Sequence, residues 1–477
     1  MIAQQPASDT AQQTLRTHAL PQLARVLGPI QFFALSFGCI VGSGWVIVLG
    51  NWLQACGPAG VVIGMLAGGS VLLANSGAYA ELIARFPQTG GEFVFARQVF
   101  GDRTAFMVGW LWTLSLLAVV AFEATAFPWI LEALLPALRG RVLYESLGVP
   151  VTDDALLLGV GGTILVAVMN YRGVRAAAAM QTVLSFVFVA LAALILVLGF
   201  SLGSIHNAEP LLSAHGSKAW WVGCLWIFAT TPFFLNGFQS VAQTVEERGA
   251  SVTFARVARS MAFALLVSIG FYCLVTLAAA SAQPWQTLIG RPLATAAAFD
   301  ALLPRHVLST LVLVTAALSI LRVWNGAAIW AARLLMAQAR AGFLPASLGR
   351  IDSRTGSPVG AVIFVAVCNA IGVLLGKGAI VPLVDMASLC LSANLVLACI
   401  AALRVRVTSG ATPLPYATPG GAITIGYALI GSAIMAVFVL IDPAIEVPGT
   451  IPLEWIVTAV WAALGVAFRY GFKRPQP

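Results

Sequence analysis

Three ionisable residues, Glu123, Arg322 and Asp385, stand inside otherwise apolar stretches. A charge at the centre of a bilayer costs at least about 2.5 kcal/mol, so residues of this kind are candidates for ligand binding, gating or coupling. Backbone chemistry is written into two further places. FGCIVGSGWVIVLG, Phe37 to Gly50, carries Gly42-Ser43-Gly44 in the middle of an apolar run. WWVGCLWIFATTPFFLNGFQSVAQTVEE, Trp220 to Glu247, is interrupted by Thr230, Thr231, Pro232, Asn236 and Gly237. Glycine and proline are the poorest helix formers, and hydrocarbon punishes any backbone group left unpaired. A helix broken at such a point exposes N–H groups at the start of one half and C=O groups at the end of the other. The first attract a carboxylate and the second an ammonium. An α-amino acid carries both groups on one carbon. The binding candidates are therefore Val41, Gly42, Ser43, Gly44 and Trp45 from the first break. From the second they are Phe233, Phe234, Leu235, Asn236 and Gly237. Gly42 and Gly44 let main chain approach a ligand with no Cβ in the way.

Positioning these groups falls to twelve apolar runs, each long enough for a bilayer that needs about 20 helical residues. Spans 1 to 6 are Ile30–Trp52, Pro58–Ile83, Thr104–Leu131, Ala155–Tyr171, Ala178–Leu202 and Trp220–Gln243. Spans 7 to 12 are Ser260–Ala282, Val307–Met336, Val359–Leu375, Ile380–Leu403, Ile423–Ile441 and Leu453–Phe468. An amphipathic segment, Phe86 to Asp102, follows span 2, and a short helix is expected within Pro292 to Leu303. The interrupted spans 1 and 6 lie five apart, as two inverted five-helix halves require. Paired interruptions in corresponding positions point to a midplane substrate site. The alternative is that these are packing glycines, since small residues let helices approach closely.

The chain has 477 residues, 60% hydrophobic and 9% charged, with mean hydropathy +0.93. Soluble domains carry about 25% charged residues, so an all-α integral membrane protein is expected. With the N-terminus in the cytoplasm, 19 of the 26 Lys and Arg fall inside, six outside and Arg322 within a span. The net charge of +8 thus sets topology and does not mark a nucleic-acid surface. Both termini are expected in the cytoplasm of a multi-pass cell-membrane protein. The seven cysteines lack C-x-x-C spacing, and His18, His206, His215 and His306 sit in tails, outer loops or a span end. No metal, cofactor or catalytic residue is expected. Glu123 lies on the face of Leu116 and Val119, placed to bind a substrate amine or cycle a proton, or else to bond to neighbours as a buried carboxyl. Glu123 and Arg322 are possible partners for each other. Asp385 reads as a gate or a solvated cap. Glu246 and Glu247 are expected to pair with Arg248 or Arg256, and Arg97 and Arg333 to be inner-gate or topology charges.

Four motifs occur in order along the chain: GCIVGSGW, RFPQTGGEFVFARQVFG (Arg85 to Gly101), NGFQSVAQTVEE (Asn236 to Glu247) and ARLLMAQARAGFLP (Ala332 to Pro345) with Ser357-Pro358. Together they resemble the amino acid–polyamine–organocation (APC) superfamily of permeases. That resemblance implies a LeuT-like 5+5 inverted repeat of twelve transmembrane helices, with helices 1 and 6 discontinuous and two extra C-terminal helices. The parts would be a cytoplasmic tail 1–29, a first repeat 30–202, a second repeat 219–403, helices 11 and 12 over 423–468, and a cytoplasmic tail 469–477. It also implies an aromatic gate near Phe233. Sodium-coupled relatives complete an ion site near Arg322, where a fixed guanidinium could replace the ion and tie span 8 to span 1 carbonyls. Span 5 has no lysine, and Phe188 stands near the position where some proton-coupled relatives place one. Gln239 replaces a glutamate of some amine exchangers, and Trp45 is bulkier than the usual residue.

The expected function is a secondary transporter of amino acids, with proton symport, uniport and exchange all open as mechanisms. An amine or polyamine permease of ethanolamine- or putrescine-like substrates is the alternative. A membrane enzyme would need convergent catalytic side chains, and no H-E-x-x-H, G-x-S-x-G or intramembrane histidine is present. A non-transporting amino-acid sensor is the remaining alternative.

Overall fold

The computed structural model describes residues 27–172, 174–213, 219–409, 414–446 and 451–471. Apart from Leu27–Pro29 and Arg469–Gly471, the two tails lie outside the described residues. All twelve expected spans are helical over most of their length. Nine helices among the described residues are long and apolar enough to cross a membrane, while Trp220–Phe234 and Val359–Val373 are shorter apolar helices. The chain is thus a multi-pass membrane protein.

Several boundaries differ from expectation for physical reasons. Span 1 stops at Ile40, resumes as Gly44–Ile47 and runs on through Leu49 into span 2 as one helical path to Arg85, kinked at Gly57 (φ 71°) ahead of Pro58. Span 6 ends at Phe234, and a short helix, Ser240–Thr244, follows five turn residues. The amphipathic segment folds as Glu92–Phe100, entered through Gly90 (φ +127°) and Gly91 (φ +48°). The expected outer helix is Ala294–Asp300. Between spans 3 and 4 the chain makes a two-stranded hairpin, Val142–Ser146 against Val149–Thr152. Its Leu147-Gly148 turn has positive φ at both positions, the geometry that suits the twist of a tight hairpin.

Small residues set the closest helix packing. Gly60, Gly64 and Gly68 form a stripe at four-residue spacing on span 2. A Cβ built on them would lie 3.1 Å from Cys224 Sγ, 2.7 Å from Ile227 Cβ and within 2.6 Å of Thr231 Cβ. Spans 2 and 6 can only pack this closely because the stripe is bare. Buried polar groups tie other spans. Glu81 takes two hydrogen bonds from Arg406, at 2.8 and 2.7 Å, and one from the Thr418 N–H at 3.1 Å. Asn75 donates to Ser432 at 2.9 Å, and Asn170 to Asn325 at 3.2 Å. Ile63, Leu66, Leu157, Val183 and Ile363 face outward instead, on helices with no polar requirement on that side.

Candidate substrate site

The two breaks touch. In span 1, Val41 leaves the helix with extended backbone (φ −88°, ψ 96°) and the next helical segment starts at Gly44. In span 6, Gly237 takes φ +152°. A Cβ there would stand 2.6 Å from the Cys39 carbonyl carbon and 2.7 Å from the Ile40 nitrogen, and one on Gly44 would stand 2.7 Å from the Phe234 ring. At Gly237, therefore, the main chain of the span 6 break meets the main chain at the end of the first span 1 helix.

Each broken end is held by side chains of the matching polarity. Glu123, 3% exposed, reaches the span 1 break from span 3. The Ser43 N–H donates to its Oε1 at 3.3 Å, and the Ser43 hydroxyl to its Oε2 at 2.8 Å. From span 8, Arg322 donates to the Val41 carbonyl at 2.8 Å. Ser319, one turn earlier, donates to the Val41 and Gly42 carbonyls at 2.5 and 2.9 Å. A carboxyl group thus accepts from the exposed N–H while a guanidinium meets the exposed C=O, matching the polarity of the two half-helix ends. Glu123 and Arg322 serve one break from opposite sides, and the ion pair considered between them is not among those found in the described residues. Arg322 is fully buried, with Phe188 and Phe37 ring centroids 4.3 and 4.9 Å from its guanidinium carbon. Aromatic faces stabilise a desolvated cation by about 2 kcal/mol. In span 6 the Gly237 N–H donates to Gln239 Oε1 at 3.0 Å, so Gln239 caps the second break.

Aromatic rings close the region. Phe233 packs edge-on to Phe122 at 5.1 Å and to Phe234 at 5.2 Å, and Phe234 packs on Trp52 at 4.8 Å. Trp45 turns the other way, onto Phe271 at 5.3 Å and Phe188 at 6.5 Å. Its carbonyl accepts from Thr295 at 2.5 Å, which anchors span 1 to the helix Ala294–Asp300. Leu235 and Asn236 are buried, and Asn236 Oδ1 has no hydrogen-bond partner. Asp385 is half-buried in the second turn of Ile380–Ser409.

At the Arg-rich end the expected pairing fails. Glu247 pairs with Arg333 of span 8 at 2.5 Å, both buried, rather than with Arg248 or Arg256. Arg333 also donates to the Gln243 carbonyl at 3.1 Å. Glu246 accepts from the Thr89 N–H at 2.8 Å. Burial decides this: an enclosed carboxylate needs an enclosed cation, and Arg333 lies on a packed helix. Arg97 pairs with Asp102 at 3.0 Å on the surface.

Ser319, Phe122, Trp52 and Thr295 were missed from sequence. Ser319 alone carried a signal, lying three residues before Arg322 and so on the same helical face.

The family model described as "Amino acid permease" matches residues 27–464. The methylthioribose transporter of Bacillus subtilis (strain 168) is 24% identical over 343 residues, covering 70% of this chain and 72% of that protein. The vacuolar cationic amino acid transporter 2 of Arabidopsis thaliana is 26% identical, covering 73% of this chain and 55% of that protein. The branched-chain amino acid permease BcaP of Lactococcus lactis subsp. cremoris (strain MG1363) is 25% identical, covering 69% and 71%. With a match running over nearly its whole length, the chain belongs to the amino acid permease family of the APC superfamily.

Proposed function

We propose that the chain is a secondary transporter that carries amino acids across the cytoplasmic membrane by alternating access. The reading takes both termini as cytoplasmic and the twelve spans as a LeuT-like 5+5 inverted repeat plus two helices. Its substrate site lies between the breaks at Val41–Ser43 and Leu235–Gln239, and proton coupling and exchange both fit. One observation carries this reading: the span 6 break at Gly237 lies main chain to main chain against Cys39–Ile40, where the span 1 helix ends and its break begins. Irregular backbone at that depth is tolerated where it lines a cavity or is enclosed by protein. Rocking spans 1 and 6 against span 8 would expose the site to either side, with Arg322 and Ser319 guiding the span 1 carbonyls.

Amines form the second reading, favoured by a specific contact. Glu123 already occupies the Ser43 N–H, where a substrate carboxylate would dock. A substrate with an ammonium and no carboxylate could pair with Glu123 and leave that cap in place. An amino acid must displace it.

A thermal-shift screen of the purified protein against amino acids and biogenic amines separates the two, because a ligand of the native state raises apparent stability by mass action. At 100 times Kd the gain is about 2.7 kcal/mol. Stabilisation by amino acids that disappears when the carboxylate is removed supports the first reading. Stabilisation by amines alone, abolished by Glu123→Gln, establishes the second. Stabilisation by neither class contradicts both.

A further inference from the structure

Outside the substrate site, Glu92 is a buried carboxyl in none of the ion pairs found among the described residues. Glu92 opens the helix Glu92–Phe100 at the Arg-rich end and is 3% exposed. Gln243 of the inner segment of span 6 donates to its Oε2 at 3.2 Å. Gly91, before it, is so close to span 6 that a Cβ would lie 2.5 Å from Gln243 Nε2 and 3.2 Å from Ala242 Cβ. The other carboxyl oxygen, Oε1, has no hydrogen-bond partner, and neither do Gln243 Oε1 and the Tyr79 hydroxyl.

The groups around Glu92 can be followed element by element. Span 2 offers the neutral Tyr79, which lies beside the carboxyl. Span 6 offers Gln243, also neutral, with Glu247 beyond it pairing with Arg333 of span 8. Arg333 is therefore already engaged with a carboxylate and with the Gln243 carbonyl. From span 10, Asn394 and Leu397 line the same small pocket, and from span 3 Val108. On its own helix, Arg97 is turned to the surface and paired with Asp102. Glu246 bonds to the Thr89 backbone. No cation among these is directed at Glu92, and an ionised carboxylate buried without one is expensive. A protonated carboxyl needs no cation and adds a donor, beside the Tyr79 hydroxyl, to a cluster that also holds the acceptor Gln243 Oε1.

We propose that Glu92 is a proton-binding site, closed by Gln243, which ties opening of the cytoplasmic side to release of one proton into the cytoplasm. This rests on the transport cycle above. While span 6 covers Glu92 the carboxyl holds its proton. Parting Gln243 from Glu92 admits water, and the carboxyl ionises.

Burial supports the direction. It pushes Glu92 up to about 8, against the opposing pull of its own backbone N–H, Tyr79 and Gln243, whereas a hydrated glutamate titrates near about 4.3. Between those values the closed form holds one proton more than the open form. Raising cytoplasmic pH therefore favours opening, by up to about tenfold per unit. Below about 4.3 and above about 8 the dependence fades.

Hydrogen-exchange mass spectrometry on the intact protein tests this with no substrate. Protection of the segments 89–100 and 240–248 is followed from pH 6 to 9, after correction for the intrinsic pH dependence of amide exchange. The expected result is an opening equilibrium that rises with pH up to 8 in the wild type, stays flat in Glu92→Gln and recovers its slope in Glu92→Asp. A wild-type profile that is flat, or a Glu92→Gln profile that keeps the wild-type slope, overturns the proposal. Should Glu92→Gln not fold, the wild-type profile and Gln243→Leu decide. Loss of the Gln243 hydrogen bond should raise opening at every pH below 8, and unchanged opening in Gln243→Leu overturns the proposal. Counterflow measured separately distinguishes a failed proton site from a failed transporter.

Discussion

Gly237→Ala is expected to lose at least about tenfold in transport while the protein still inserts in the membrane. The added methyl group meets the backbone of the Cys39–Ile40 peptide, the Cys39 carbonyl carbon at 2.6 Å and the Ile40 nitrogen at 2.7 Å. Backbone cannot rotate away as a side chain can. The residue also holds φ +152°, a conformation that alanine rarely adopts. Overpacking of this kind costs about 1–3 kcal/mol and the backbone strain a similar amount, and relief comes only by separating the two breaks. Gly44→Ala is a useful comparison. Its methyl group meets the Phe234 ring at 2.7 Å, a side chain that can shift at lower cost, so a smaller loss of transport is expected. Counterflow rates normalised to monodisperse protein measure both. Equal, wild-type rates in the two variants would remove the breaks from the transport path.

Arg322→Met is expected to lower transport by roughly 10- to 100-fold, because a hydrogen bond to a charged group contributes about 1.5–3 kcal/mol. Methionine keeps the apolar contact with Phe37 and Phe188 but leaves the Val41 carbonyl to Ser319 alone. Arg322→Lys should restore part of the rate. A lysine brings a point charge to the carbonyl but not the planar fork that stacks on two rings. With a covalently held cation at the span 1 carbonyls, wild-type transport should not depend on sodium. Rates in sodium and in choline buffers check that. A steep sodium requirement in the wild type would mean that Arg322 does not take the place of an ion.

Much of this architecture could be read from residues that break a local rule. Gly42-Ser43-Gly44 and Asn236-Gly237 conflict with helix propensity where the hydrophobic pattern demands a helix, and the breaks fall there, at Val41–Ser43 and Leu235–Gln239; Thr230, Thr231 and Pro232, expected to interrupt span 6 as well, stay within the helix Trp220–Phe234. The tie from Arg322 to a span 1 carbonyl followed from the expense of a cation in a span, read together with the family resemblance. What could not be read was register between distant helices. Glu247 and Arg248 are neighbours in sequence, yet Arg333, 86 residues away, holds the carboxylate. Likewise Glu123 and Arg322 looked like partners by charge, and instead each takes one end of the same broken helix. The hairpin at Val142–Thr152 also escaped notice, because a short exposed strand pair in a loop has too few residues to show its alternation.

Counterflow in proteoliposomes tests the transporter assignment most directly. Vesicles containing the purified protein are loaded with an unlabelled amino acid or amine, and a trace of the same labelled compound is added outside. Saturable, transient accumulation of the label, lost in Gly237→Ala, is the expected result. A compound that raises the unfolding temperature yet shows no counterflow at any loading would mark a protein that binds in the breaks without moving its ligand, and would contradict alternating access.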